Sequence, residues 1–285
     1  MSFTRRIDNA AWNALVFELT LAPKPGLVTP FSNGSHRDMT HRHFSASIEA
    51  LAGFFGDCAR LGAAGADLRA LQARGMLAET AMFGATRGIN THKGAVFTLG
   101  LLAAAAGVQH TRGKWLPDQL GNVVAEEWGN ALLDAAEAAP ADTHGMYVRR
   151  NLGLPGAREQ AANGFPVLFE TTLPALHEAR QRLGNDPRAL LHALISTIAV
   201  LPDTNLAHRG GRSGLEWAQY AAADFIAGGS VFNAGGERRL KVLCTAFERR
   251  WLSPGGSADL LAAALFVTEL SADRTVVPHV EVVTA

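Results

Sequence analysis

Gly94-Ala95-Val96-Phe97-Thr98-Leu99-Gly100-Leu101-Leu102-Ala103-Ala104-Ala105-Ala106-Gly107-Val108 is the stretch that decides the fold. Alanine and leucine, both strong helix formers, dominate it. The uncharged run 95–108 is shorter than the roughly 20 residues that a bilayer-spanning helix needs. It reads as a helix over 94–106 that is apolar all round, which requires other helices to cover it. Amphipathic helical spacing recurs on both sides, and β-branched alternation is scarce. Helices are expected over 5–21, 41–61, 67–85, 117–139, 160–183 with a break near Pro166, 187–201, 215–227, 237–251 and 257–270. The tail 276–283 reads as a short strand or an extended end. The expected class is all-α, one compact multi-helix bundle with long functional loops, and residues 1–285 form a single domain.

The 285 residues are 48% hydrophobic and 18% charged, enough for a large core and too apolar for disorder. Lysine plus arginine (26) equals aspartate plus glutamate (26), so no general nucleic-acid or membrane-surface binder is expected. Cys58 and Cys244 lie in helical segments outside any CxxC pair and read as reduced, buried thiols. Met1–Leu21 mixes charge with amphipathic spacing and lacks a signal-peptide core, which places the protein in the cytoplasm.

The connections are neither short nor bland. Residues 22–40 hold three prolines and two glycines, and irregular stretches of that length are often functional. Within it, two prolines flank Lys24 in Pro23-Lys24-Pro25-Gly26-Leu27-Val28, which makes the lysine a preorganised charge for phosphate. In Gly34-Ser35-His36-Arg37-Asp38-Met39, Asp38 could hold magnesium and His36 could meet a phosphate or a base. The competing reading is a plain helix start capped by Thr40. Glu79 and Thr86 share a helix face two turns apart. Asn90-Thr91-His92-Lys93-Gly94 then leads into the apolar helix, where backbone N–H groups converge and anions bind. Thr143-His144-Gly145, Gly156-Ala157-Arg158-Glu159 and Gly164-Phe165-Pro166 follow. Asp203-Thr204-Asn205 with His208-Arg209-Gly210-Gly211-Arg212 closes the series.

In that order the motifs resemble the triphosphoribosyl-dephospho-coenzyme A synthase family, over roughly 18–212. One run departs from the family pattern: Glu159 and Gln160 stand where Gly and an acid are expected, which fits the malonate decarboxylase branch. The resemblance implies ATP and 3′-dephospho-coenzyme A as substrates, adenine as leaving group and Mg2+ as helper ion. It implies a product that is the prosthetic-group precursor of the acyl-carrier protein of malonate decarboxylase or citrate lyase. A homodimer is also expected. The family's α-linked product from β-configured ATP implies one inverting displacement through an oxocarbenium-like state.

Roles follow from the same likeness. Glu79 or Asp203 activates the acceptor hydroxyl. His36, His92 or His144 assists the leaving base. Lys24, Lys93, Arg209 and the Asn90–Gly94 backbone hold the triphosphate, with Asp38 and Asp203 as magnesium ligands. Thr86, Asn90, Thr91, Gly94, Arg158 and Asn205 complete the substrate-binding set. Two other readings compete: a magnesium-dependent hydrolase of an ADP-ribose-like glycosidic bond, and a non-catalytic helical adaptor.

Overall fold

The computed structural model describes residues 1–138, Val148 and 152–272. Among these residues there are 12 α-helices and no strand. In chain order they are α1 (Phe3–Thr20), α2 (His41–Ala50), α3 (Phe54–Ala63), α4 (Leu68–Ala85), α5 (Lys93–Thr111) and α6 (Leu120–Glu137). They continue with α7 (Ala157–Ala162), α8 (Leu173–Leu183), α9 (Arg188–Val200), α10 (Thr204–Ala227), α11 (Gly236–Arg249) and α12 (Gly255–Ala272). The sequences 143–145 and 276–283 singled out above lie outside the described residues.

Helix α5 is the axis of the bundle, and fourteen of its residues, from Ala95 to Gln109, are buried. Its small residues set the packing distance. A Cβ on Gly107 would overlap Ala59 O, and one on Gly62 of α3 would overlap Ala104 O, so α3 and α5 touch backbone to backbone. Helix α12 is likewise buried from Leu260 to Val267, and α1 and α5 pack against it. By length and composition Lys93–Thr111 could cross a membrane, but 78% of that window is buried inside the bundle, as in a core helix. Helices α9 and α10 pass the same test only if taken as one span, and they bend by 56°.

Several expected boundaries move, each for a reason. The expected helix 41–61 is two helices. Gly53, at φ 84, separates them, and the Asp8 carboxylate of α1 accepts the N–H groups of Gly53, Phe55 and Gly56 to start α3. That cap comes from another helix, so local sequence does not announce it. Helix α10 begins at Thr204 rather than near 215, and the glycine-arginine run lies within it, with non-helical backbone at Gly211. The expected 160–183 helix divides into α7, a π-helical turn at Leu168–Thr172, and α8. Thr40 does cap α2, with the His43 side chain accepting the Thr40 N–H in return.

Candidate active site

Three helices begin at one place. Asp203 caps α10: its Oδ1 accepts the N–H groups of Asn205 at 2.9 Å and Leu206 at 3.4 Å. Its Oδ2 accepts the Ser257 N–H at 2.8 Å and the Ser257 hydroxyl at 3.0 Å. One carboxylate thus joins the N-termini of α10 and α12. Asp259, a turn further along α12, accepts the Ala95 N–H in the first turn of α5. Gly94 makes room for that approach, because a Cβ would overlap Asp259 Oδ2 and push the carboxylate aside. The positive ends of three helix dipoles therefore face two carboxylates. Asp203, Ser257 and Ala95 are buried, yet Gly94, Gly255, Gly256 and Asp259 keep partial solvent contact. Partly exposed glycine backbone and the Asp259 carboxylate thus meet at the joined starts of α5 and α12.

The charges around it are ordered. Lys24 is buried and donates from Nζ to Glu18 Oε1 at 2.6 Å and to the Glu18 carbonyl at 2.7 Å. The expectation of a lysine offered to phosphate is corrected here, since its charge is already matched by a buried carboxylate. Burial raises the Asp203 carboxyl above the usual aspartate range, against the pull of its four hydrogen bonds. Asp259 is raised well above it by burial and then by the Asp203 and Glu18 charges. His92 goes the other way. Burial, then Lys24, lowers it to about 3. Its Nδ1 is 2.7 Å from Ser47 Oγ, and its Nε2 is buried without a partner.

The loop before α5 is knotted by polar groups. Thr86 is fully buried, with its hydroxyl 2.6 Å from Ile89 O and 2.9 Å from Met82 O. Asn90 Oδ1 accepts the Lys93 N–H, and the buried Thr91 hydroxyl has no partner. Lys93 pairs with Glu79 at 3.0 Å on the partly exposed edge, which joins α4 to the start of α5.

A second cluster flanks the segment before α12. Arg209 Nη1 donates to Ser35 O and Trp251 O, and its Nη2 lies 2.9 Å from His36 Nδ1. Arginine only donates, so His36 Nδ1 accepts, and its Nε2–H donates to Ser253 Oγ at 2.8 Å. Burial, then Arg209, lowers His36 to about 4, with Asp38 acting against them. Asp38 is open to solvent, 3.9 Å from His36. Arg158 donates to Ala135 O and ties α7 to α6, and no hydrogen bond joins it to the Asp203 cluster. Glu159 accepts the Gly156 N–H and so caps α7, a local use for the departure from the family pattern. Asn205 is exposed with its amide against Gly255, and His144 lies outside the described residues.

The family model described as ATP:dephospho-CoA triphosphoribosyl transferase matches residues 4–276. The chain belongs to this family. A relative from Pseudomonas aeruginosa, named as a probable 2-(5''-triphosphoribosyl)-3'-dephosphocoenzyme-A synthase, is 41% identical over 275 residues, covering 93% of this chain and 91% of the relative. One from Pectobacterium atrosepticum, named 2-(5''-triphosphoribosyl)-3'-dephosphocoenzyme-A synthase, is 40% identical over 267 residues, covering 90% and 86%. One from Acinetobacter calcoaceticus, a probable synthase of the same name, is 36% identical over 266 residues, covering 93% and 91%. No solved structure matches the chain. The protein is a transferase whose substrates are ATP and dephospho-coenzyme A, and it makes a prosthetic-group precursor. The hydrolase alternative draws no support.

The transferase's sequence motifs pointed to only part of this cluster. Glu18, Ser47, Ser253, Ser257 and Asp259 escaped notice. The signal was present in Ser253-Pro254-Gly255-Gly256-Ser257-Ala258-Asp259, a helix start whose only acid precedes an apolar run. Among the described residues, no three His, Cys, Asp or Glu groups are placed to hold a metal ion. Magnesium asks for less, one or two carboxylates plus phosphate oxygens and water. Asp38 has free acceptors for that. Asp203 does not, because its oxygens already take four hydrogens.

Proposed function

We propose that this transferase lays the triphosphate of ATP across the joined starts of α5 and α12. It passes the ribose C1 to the 2′-hydroxyl of 3′-dephospho-coenzyme A, with release of adenine. The observation that carries this reading is the joining of three helix N-termini through Asp203 and Asp259, with partly exposed glycines in the first turns of α5 and α12. Asp203 and Asp259 already take the N–H groups of Asn205, Leu206, Ser257 and Ala95, so the donors left for phosphate are the first-turn N–H groups of Gly94, Gly255 and Gly256. Lys93 and Arg209 add charge at the two flanks. Bound Mg2+ supplies charge neutralisation on the phosphates, with Asp38 as its protein ligand.

One bond forms between the acceptor oxygen and C1, and the bond from C1 to adenine breaks. Glu79, partly exposed beside Lys93, takes the hydroxyl proton. Asp203 serves as the brace between α10 and α12, since its lone pairs are occupied. His92 is neutral at physiological pH and helps the base only as a hydrogen-bonding group. The product feeds an acyl-carrier protein of the malonate decarboxylase or citrate lyase type, in the cytoplasm, and the working enzyme is a homodimer.

Mass spectrometry of a reaction with ATP and dephospho-coenzyme A tests the reading. A coupled product with one adenine released per transfer is expected. Free triphosphoribose without coupling would overturn it.

A further inference from the structure

Helix α11 ends in an unusual way. Trp251 follows its C-terminus with φ 55, while the Trp251 and Leu252 N–H groups return to Glu248 O and Phe247 O. This left-handed position after a helix normally belongs to glycine, and a bulky residue there is strained. Strain of this kind gathers at ligand sites. The indole gains little burial in return, for Trp251 is 46% exposed. The Arg37 guanidinium lies 4.4 Å from its ring centre. Arg209 holds the Trp251 carbonyl, and through His36 it reaches Ser253 on the way to the start of α12.

We infer that Trp251 is the stacking platform for the adenine base of the acceptor, dephospho-coenzyme A, with Arg37 as the partner of its diphosphate. This rests on the transfer reading above. The attacking 2′-hydroxyl belongs to the ribose that carries this base, so the base must be held within a nucleoside's length of the reacting carbon. Trp251 is four residues from Gly255, and a chain covers at most about 3.6 Å per residue. The Trp251 backbone therefore lies within about 14 Å of the start of α12. The acceptor also carries a long pantetheine arm that must leave the protein, which suits an exposed rim. The donor has no such arm and suits the joined helix starts. A purine takes the place of the guanidinium over the ring, and Arg37 turns to the phosphates.

The test is calorimetric binding of dephospho-coenzyme A and of Mg2+-ATP, with steady-state kinetics, on wild type, Trp251→Ala, Trp251→Phe and Trp251→Gly. Loss of a stacked base weakens binding by about 10-fold or more. The Ala and Gly variants should show that loss for dephospho-coenzyme A, in Kd and in KM, with ATP unchanged, and Phe should recover most of it. Trp251→Gly should melt at or above the wild-type temperature, because glycine relieves the strained position, so weak binding there cannot be put down to unfolding. Unchanged dephospho-coenzyme A affinity in the Ala and Gly variants overturns the proposal, as does a loss confined to ATP. The binding arm is independent of turnover. If the wild type binds dephospho-coenzyme A in a Trp251-dependent way but yields no coupled product, the transfer reading fails and the platform stands.

Discussion

Lys24 and Glu79 trade the roles that their surroundings suggest. Lys24 lies in a stiff proline loop, yet its ammonium is buried against Glu18. Removing one member of a buried pair leaves the other charge unmatched, at a cost of about 3–5 kcal/mol. Lys24→Ala should lose about that much in a urea titration, and Glu18→Gln with Lys24→Met should recover a large part. An unchanged midpoint for Lys24→Ala would return the lysine to the phosphate. Glu79 is partly exposed beside Lys93, where an ion pair is worth about 1 kcal/mol or less. Glu79→Gln should therefore melt like the wild type while turnover falls about 10²–10⁴-fold, read as adenine release. Normal release would remove Glu79 from the chemistry. The Asn90–Gly94 turn was legible because a helix start writes itself into adjacent residues. Asp259 was not, because its meaning depends on Gly94 and Asp203, which only the folded chain brings near.

At the scale of the helix, glycine has two opposite meanings here, and composition does not distinguish them. Gly107 of α5 faces Ala59 O with no room for a Cβ, whereas Gly75 of α4 has open space around it. Gly107→Ala should push α3 from α5 and destabilise by about 1–3 kcal/mol, the usual cost of overpacking. Gly75→Ala should stabilise by about 0.4–1 kcal/mol, since alanine restricts the unfolded chain and favours the helix. Thermal unfolding of the two variants beside wild type checks the contrast, and shifts of the same sign would contradict the packing. Helix existence was readable from apolar spacing and alanine content. Breaks were readable only where the stop is local. The end of α2 near Leu51 depends on Asp8 of α1, and the long α10 depends on Asp203 bridging to Ser257. Periodicity along one segment carries neither fact.

Across the whole molecule, proton binding is divided between two groups of buried or half-buried side chains with opposite effects. His36, His92 and His192 are held below the ordinary histidine value of 6.5, each chiefly by burial, the first two at about 4 and about 3. Below pH 6.5 the unfolded chain takes up protons that these folded histidines refuse. Their contribution is complete above pH 6.5 and is lost as pH falls. Each proton changes stability by about 1.4 kcal/mol per pH unit. Asp203 and Asp259 are shifted upward from 3.8, so they favour the folded state when protonated and weaken it as pH rises through their folded values. Wild type should therefore lose stability as pH falls below 6.5, and the upward-shifted carboxyls oppose that loss where the folded chain takes up protons ahead of the unfolded one. Asp259→Asn keeps an acceptor for the Ala95 N–H and removes one opposing group. It should melt higher than wild type at pH 7, by about 2–4 °C for each kcal/mol relieved, and lose stability more steeply on acidification. A variant less stable than wild type at pH 7, with an unchanged slope, would mean that the Asp259 charge is matched in the folded protein rather than suppressed.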